Sequence, residues 1–313
     1  MRVLGIGEIL WDIFSDRERL GGAALNFCAN LQRLGNTAVL LSAVGHDARG
    51  TLALRRMQEL ELDTEDIQLV DSPTGVAMVD TTEAGAPAFI IPRPAAFDLV
   101  STTPETFRKV EDHHIGWLYF GTLLQTTAPI EKFTTELATR LPKLRCFYDM
   151  NLRAGQWNLA LVQRLSGLAS VLKLNEVEAE TLFNLTHRDE ATFSMEQFCR
   201  SWAETYDIDT ICVTLGPAGC FVFDRGTIHR VPGFPVKVCD TVGSGDAFAA
   251  AFLHGYQRNW PILETARFAN ALGALVTMRS GATPDWTIEE CFALASLTNP
   301  EATSLRPQSL NRI

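Results

Sequence analysis

Asp240-Thr241-Val242-Gly243-Ser244-Gly245-Asp246, followed by Ala247-Phe248-Ala249-Ala250-Ala251-Phe252-Leu253-His254-Gly255, is the stretch on which the reading turns. Glycines at 243 and 245 let the backbone bend so that successive N–H groups point one way. The small residues behind them read as a helix over 245–258. A turn of amides at the positive end of a helix is a nest for an anion such as a phosphate. Asp246 falls in the first helical turn, beside that anion. A carboxylate there is electrostatically unfavourable unless it has a task, and accepting a proton from an attacking hydroxyl is one. Capping the helix is the other reading.

Upstream, short apolar runs alternate with amphipathic segments. Val3–Ile6, Ala38–Val44, Trp117–Phe120, Cys146–Tyr148, Val171–Leu174 and Ile211–Leu215 read as strands buried on both faces. Helical patterns lie at about 22–34, 48–60, 104–112, 128–141, 158–168, 176–184 and 194–206. This order predicts an α/β fold, with a mostly parallel sheet covered by helices on both faces. Thr74–Asp80 and Ala86–Pro92 break the rhythm as a hairpin, either a lid or an ordinary edge. Val76, Met78, Phe89 and Ile91 would give it one apolar surface. A second strand pair, Cys220–Phe223 and Thr227–Val231, precedes the glycine turn, and another helix runs from about 262 to 279. No linker or repeat interrupts residues 1–313, which read as one domain.

The gross numbers exclude several classes. The chain has 313 residues, 46% of them hydrophobic, and a formal net charge of −10. That balance argues against nucleic acid, which selects basic surfaces. No run of about 18 apolar residues predicts a membrane span, and Glu8 and Asp12 interrupt the apolar N-terminus. Seven cysteines without a CxxC read as free buried thiols in a reducing, cytoplasmic setting. There is no GxxxxGK[ST] loop, no complete dinucleotide fingerprint after Gly5-Ile6-Gly7, and no HExxH. His113-His114 lacks a third ligand nearby and reads as a solvated pair.

The segment 237–255 resembles the C-terminal signature of the ribokinase-like carbohydrate kinases, the phosphofructokinase B type. Further motifs follow the family's order along nearly the whole chain. They are Gly21-Gly22-Ala23-Ala24-Leu25-Asn26, Gly45-His46-Asp47-Ala48-Arg49-Gly50, Asp149-Met150-Asn151-Leu152-Arg153, Asn175-Glu176-Val177-Glu178, Thr214-Leu215-Gly216-Pro217-Ala218-Gly219 and Ala269-Asn270-Ala271. The resemblance implies a doubly wound sheet with a small β lid from about 10–20 and 72–98. It implies ATP and Mg²⁺ as cofactors, with K⁺ as a further ion.

The resemblance also assigns roles. Asp246 would be the base, and Gly243, Ser244 and Gly245 the anion hole. Asp12 at the end of strand one, Gly22 and Asn26 would bind sugar hydroxyls, with Gly21-Gly22 as the lid hinge. From the residues themselves, Asn26 also reads as a helix cap and Asp12 as a solvated loop carboxylate. Asn175 and Glu178, on one helical face, would help hold Mg²⁺ through water. Thr214, Gly216 and Gly219 would border the nucleotide, and Asn270 the adenine. Asp240 and Val242 would flank a monovalent cation. Ser244 stands where the family most often has Ala, and activity is expected to survive. Ala24-Leu25 replaces the common Pro-Ala, with a changed pocket shape expected near the sugar.

The opening Gly7-Glu8-Ile9-Leu10-Trp11-Asp12, and Asp149–Arg153 followed by Trp157, resemble the fructokinase branch. Ketodeoxygluconate kinases share much of the second motif, and Arg153 would pair with a substrate carboxylate or with ATP phosphates. Fructokinase is the first reading and sugar-acid kinase the second. A sugar- or nucleotide-binding protein without turnover is the reading from another class. A two-fold dimer through the lid is the alternative use of the hairpin.

Overall fold

The computed structural model describes residues 2–80, 88–141, 143–187 and 192–296. Among the described residues, thirteen strands form two sheets. In chain order they are β1 (Arg2–Ile6), β2 (Leu10–Ile13), β3 (Glu18–Gly21), β4 (Thr37–Gly45), β5 (Ile67–Val70), β6 (Gly75–Asp80), β7 (Ala88–Ile90), β8 (Trp117–Gly121), β9 (Arg145–Asp149), β10 (Val171–Asn175), β11 (Thr210–Thr214), β12 (Cys220–Asp224) and β13 (Thr227–Val231). The nine-stranded sheet has the order β13-β12-β11-β10-β9-β8-β1-β4-β5. It is parallel from β5 to β11 and antiparallel across β12 and β13.

The parallel strands are buried because helices cover both faces, and their alternation feeds two cores. Val3, Trp117, Tyr119, Phe147, Val171 and Cys212 pack with the helices Ala23–Arg33, Ser244–Tyr256 and Ile262–Thr277. Leu4, Leu118, Phe120, Tyr148, Leu172 and Val213 pack with the helices Pro104–Asp112, Ala128–Arg140, Glu176–Thr186 and Met195–Tyr206. The Phe27 ring stacks on Tyr119 at 3.7 Å between centroids and locks the first core to the sheet centre.

From β1 the chain goes outward to β4 and β5, then crosses back to β8 on the other side. Reversal of strand order opens a crevice beyond the carboxyl ends of the strands, where ligands of such sheets bind. Over this edge lies the second sheet, of order β3-β2-β6-β7. β2 pairs parallel with β6, and the outer pairs are antiparallel. The chain then returns to the body, where Ala95, Ala96 and Phe97 are buried.

Two expectations about this smaller sheet are corrected. Val76, Met78 and Ile91 do not make one surface. The register opposes Met78 to Ile90, and both are exposed, at 45% and 58%. Ile91 is buried, as is Ala77. The period of two holds along each strand, but the two strands join one residue out of phase with that grouping. The side chain of Phe89 and the turn 81–87 lie outside the described residues. Asp12 is not at the end of the first strand: it belongs to β2, inside the lid sheet.

No helix among the described residues is long and apolar enough to cross a membrane. Six of the cysteines are buried and free, and Cys239 is free and exposed.

Candidate active site

A cavity of about 270 Å³ lies between the lid sheet and the carboxyl edge of the main sheet. Leu10, Asp12, Ala77 and Ile91 form its lid wall. Glu8, Gly22, Ala23, Asn26, Asn151 and Arg153 form the body wall. Thr241, Val242, Gly243, Gly245 and Asp246 close one end.

That end is the start of the helix Ser244–Tyr256. Gly243 occupies the cap position at φ 80°, and a Cβ there would meet the Ala282 carbonyl oxygen at 2.4 Å. Only glycine fits such a left-handed, crowded position. Of the first-turn amides, those of Gly245 and Asp246 have no intrahelical acceptor, and that of Ser244 donates to the Thr241 carbonyl at 3.4 Å. The Ser244 hydroxyl donates to the Thr241 carbonyl at 2.9 Å, so the departure from Ala tightens the turn. Asp246 makes no side-chain cap. It is buried, and its Oδ2 accepts from Asn26 Nδ2 at 2.8 Å. Burial first, then the charge of Asp149, raises its carboxyl to about 6, against the pull of Lys173, Asn26 and Arg153.

Asn26 lies inside the helix Ala23–Arg33, not at its cap, and its buried Oδ1 has no partner. Asp12 is buried, not solvated. Burial, then Asp246, raises it to about 7, with Arg153 opposing. Gly22 takes φ 117° at the start of that helix, and a Cβ there would strike the Glu8 carbonyl oxygen at 2.2 Å. Glu8 accepts the Ala23 amide at 2.8 Å and is raised above the ordinary carboxyl range by burial. Ala24 packs against Gly7, and Leu25 is in the core. Neither lines the cavity. The side chains of this pair point into the body.

Asn175 and Glu178 close a reciprocal capping box. Asn175 Oδ1 accepts the Glu178 amide and Glu178 Oε2 the Asn175 amide, both at 2.9 Å. Glu178 Oε1 accepts the Leu152 amide at 2.7 Å. Each carboxylate oxygen keeps a lone pair for a water, so the pair fits a cation held through water but not one ligated as a cage. Among the described residues no group of three or more His, Cys, Asp or Glu could hold a metal. Asp240 accepts from the Val242 amide at 3.1 Å and the Gly281 amide at 3.0 Å. It thus ties the glycine turn to Gly281.

Thr214 lies opposite Asn175 in the β10–β11 register. Gly216 and Gly219, at φ 56° and 100°, shape the next turn. A Cβ on Gly219 would meet the Val231 carbonyl oxygen at 2.1 Å. Asn270 Nδ2 donates to that carbonyl at 3.3 Å and to Pro232 at 3.2 Å. These residues converge on the end of β13 and do not line the cavity.

Several residues here carried no role in the sequence reading. Asn151 has φ 46° and a buried Nδ2 without a partner. Lys173 is buried in β10 with its Nζ 2.9 Å from Asp149 Oδ1, and Tyr119 donates to Asp149 Oδ2 at 3.0 Å. The signal for Lys173 was one cation inside the apolar run Val171–Leu174.

The sheet covered by helices on both faces, the smaller sheet over its edge, the amide turn and the polar cavity fit a carbohydrate kinase. The chain belongs to the pfkB family of carbohydrate kinases, whose pattern matches residues 8–289. It is 29% identical over 287 residues to fructokinase-1 of Zea mays, covering 86% of this chain and 85% of that one. It is 29% identical over 269 residues to the fructokinase of Escherichia coli, covering 81% and 84%. Among solved structures, fructokinase with bound ATP from Xylella fastidiosa superposes with a TM-score of 0.83 at 24% identity, over 95% of this chain and 98% of that one. A fructokinase double mutant from Vibrio cholerae O395, with fructose, ADP and potassium ion bound, gives 0.80 at 24% identity over 94% and 98%. The 2-dehydro-3-deoxygluconokinase of Thermotoga maritima gives 0.81 at 20% identity over 95% and 98%. At these identities the superpositions speak for the fold.

Proposed function

We propose that the protein is an ATP-dependent fructokinase in which Asp246 is the general base. The observation that carries this reading is one cavity with Asp246 and the amide turn at one end and Asp12, Asn26 and Arg153 around the rest. A sugar hydroxyl beside Asp246 gives its proton to the carboxylate as its oxygen attacks the γ-phosphorus. The bond to the β-phosphate oxygen breaks, leaving ADP. The amides of Gly243, Ser244 and Gly245 face the charge that spreads over the transferring group. Asp12 and the unpartnered Asn26 Oδ1 accept from sugar hydroxyls. Gly22 lets the chain pass close to the sugar.

Thr214, Gly216, Gly219 and Asn270 would border the nucleotide. Mg²⁺, when bound, neutralises charge between the β- and γ-phosphates, and Asn175 and Glu178 would hold it through water. A monovalent cation such as K⁺ would sit by Asp240 and Val242. The fructose, ADP and potassium of the Vibrio structure agree with this reading.

A sugar-acid kinase is the second reading, favoured by Arg153, a half-buried cation on the cavity wall. ADP release with Mg-ATP and fructose, ketodeoxygluconate, ribose and adenosine separates the two. Fructose is expected to give the highest kcat/KM. Preference for ketodeoxygluconate overturns the first reading. Thermal stabilisation by ligands without any ADP would make the protein a binding module.

A further inference from the structure

Lys173 is 4% exposed and Asp149 is fully buried. Burying such a pair is costly and seldom more stabilising than well-packed apolar side chains. The pair sits on a specific spot. A Cβ on Gly245 would lie 3.1 Å from Lys173 Nζ. The ammonium is thus directly behind the amide turn, one residue before Asp246. Gly245 leaves the room it occupies. Asp149 Oδ1 holds it at 2.9 Å, and the Tyr119 hydroxyl at 3.0 Å from Oδ2 fixes that carboxylate in turn.

We propose that Lys173 is a positioning residue for phosphoryl transfer, its ammonium charging and bracing the Gly243–Asp246 turn from behind. A fixed positive charge in a dry site favours developing negative charge without reorganisation. The reading rests on the kinase assignment. Asp246 is also faced by Asp149 from β9, Arg153 from the loop after it, Asp12 from β2, Tyr119 from β8 and the Asn26 amide. Lys173, Asn26 and Arg153 favour its ionised form, and Asp149 opposes it.

The test compares wild type, Lys173→Met and Lys173→Met/Asp149→Asn by pH-resolved kinetics with Mg-ATP and the sugar that the wild type turns over. Lys173→Met is expected to lower plateau kcat by about 10²-fold, the order of an oxyanion-hole donor, with sugar KM changed far less. Its acid limb moves to higher pH, because a charge favouring ionised Asp246 is gone. Its melting temperature falls, because Asp149 is left buried and unpaired. The double variant removes that orphan, so stability and the acid limb return toward wild type while plateau kcat stays low. Recovery of plateau kcat together with stability makes Lys173 a structural partner of Asp149 and overturns the proposal. So does a single variant with wild-type kcat and pH profile. Failure of the kinase assignment itself shows separately, as no sugar-dependent ADP from the wild type.

Discussion

Three raised carboxyls, Glu8, Asp12 and Asp246, line the cavity, and the last two make different predictions. As the base, Asp246 works only when ionised, so kcat/KM is expected to fall about tenfold per pH unit below about 6, the value to which burial and Asp149 raise it. Asp246→Asn removes the proton acceptor but leaves the amide turn. ATP affinity is expected to stay and turnover to drop about 10²–10⁴-fold; near-normal turnover in the folded variant would leave Asp246 with the Asn26 contact alone. Asp12 is raised to about 7 by burial first and Asp246 next. A carboxyl raised by folding contributes its full stability below the unfolded pKa and loses it as pH climbs through the folded one. Asp12→Asn is therefore expected to melt above wild type near about pH 8, with the gap closing toward about pH 5, while sugar KM rises about tenfold. Melting curves at the two pH values check the sign. Both positions were legible in the sequence, Asp246 from its glycine turn and Asp12 from its motif. Lys173 was not read, because a lysine in a strand reads as surface until the buried flanks on both sides are weighed.

At the scale of elements, the parallel strands were readable because burial on both faces makes each a continuous apolar run. The four-residue strands β2 and β3 were not. The charged stretch Asp16–Arg19 runs through their turn and into β3, and their apolar positions are too few to show a period. The edge strand β5 and the helix Ile288–Ser296 escaped for the same want of signal. The glycine turn was legible since its chemistry is local, yet what crowds it is not: Ala282 arrives from far along the chain. Gly243→Ala tests that crowding. The new methyl meets backbone at 2.4 Å, in a left-handed conformation. The turn must shift, at a cost of roughly 1–3 kcal/mol. Turnover is expected to fall at least about tenfold as the amides leave their alignment. A variant with unchanged melting temperature and kcat would show that the turn relaxes freely.

At the scale of the molecule, the cavity exists only because two sheets meet. One wall comes from the lid, through Asp12, Ala77 and Ile91, and the other from the body, through Asn26 and the glycine turn. A direct latch joins them outside the cavity. Arg19 of β3 donates to Ser280 Oγ at 2.7 Å. The next residue, Gly281, donates its amide to Asp240 at 3.0 Å, and Ala282 packs on Gly243. Lid position and turn geometry are thus joined through three consecutive residues. On the proposed kinase reading, a lid held down would exclude water, which would otherwise compete with the sugar hydroxyl for the γ-phosphorus. Arg19→Ala removes one exposed hydrogen bond, worth about 0.5–1.5 kcal/mol. Sugar KM is expected to rise about 2–10-fold by that amount, with kcat less affected, and sugar-independent ATP hydrolysis to rise relative to transfer. The ratio of inorganic phosphate to sugar phosphate, measured against sugar concentration, reads both effects together. If KM and that ratio match the wild type, the Arg19–Ser280 contact is a surface tether and the lid is held by its other contacts, among them the Glu18–Arg49 ion pair at 2.7 Å.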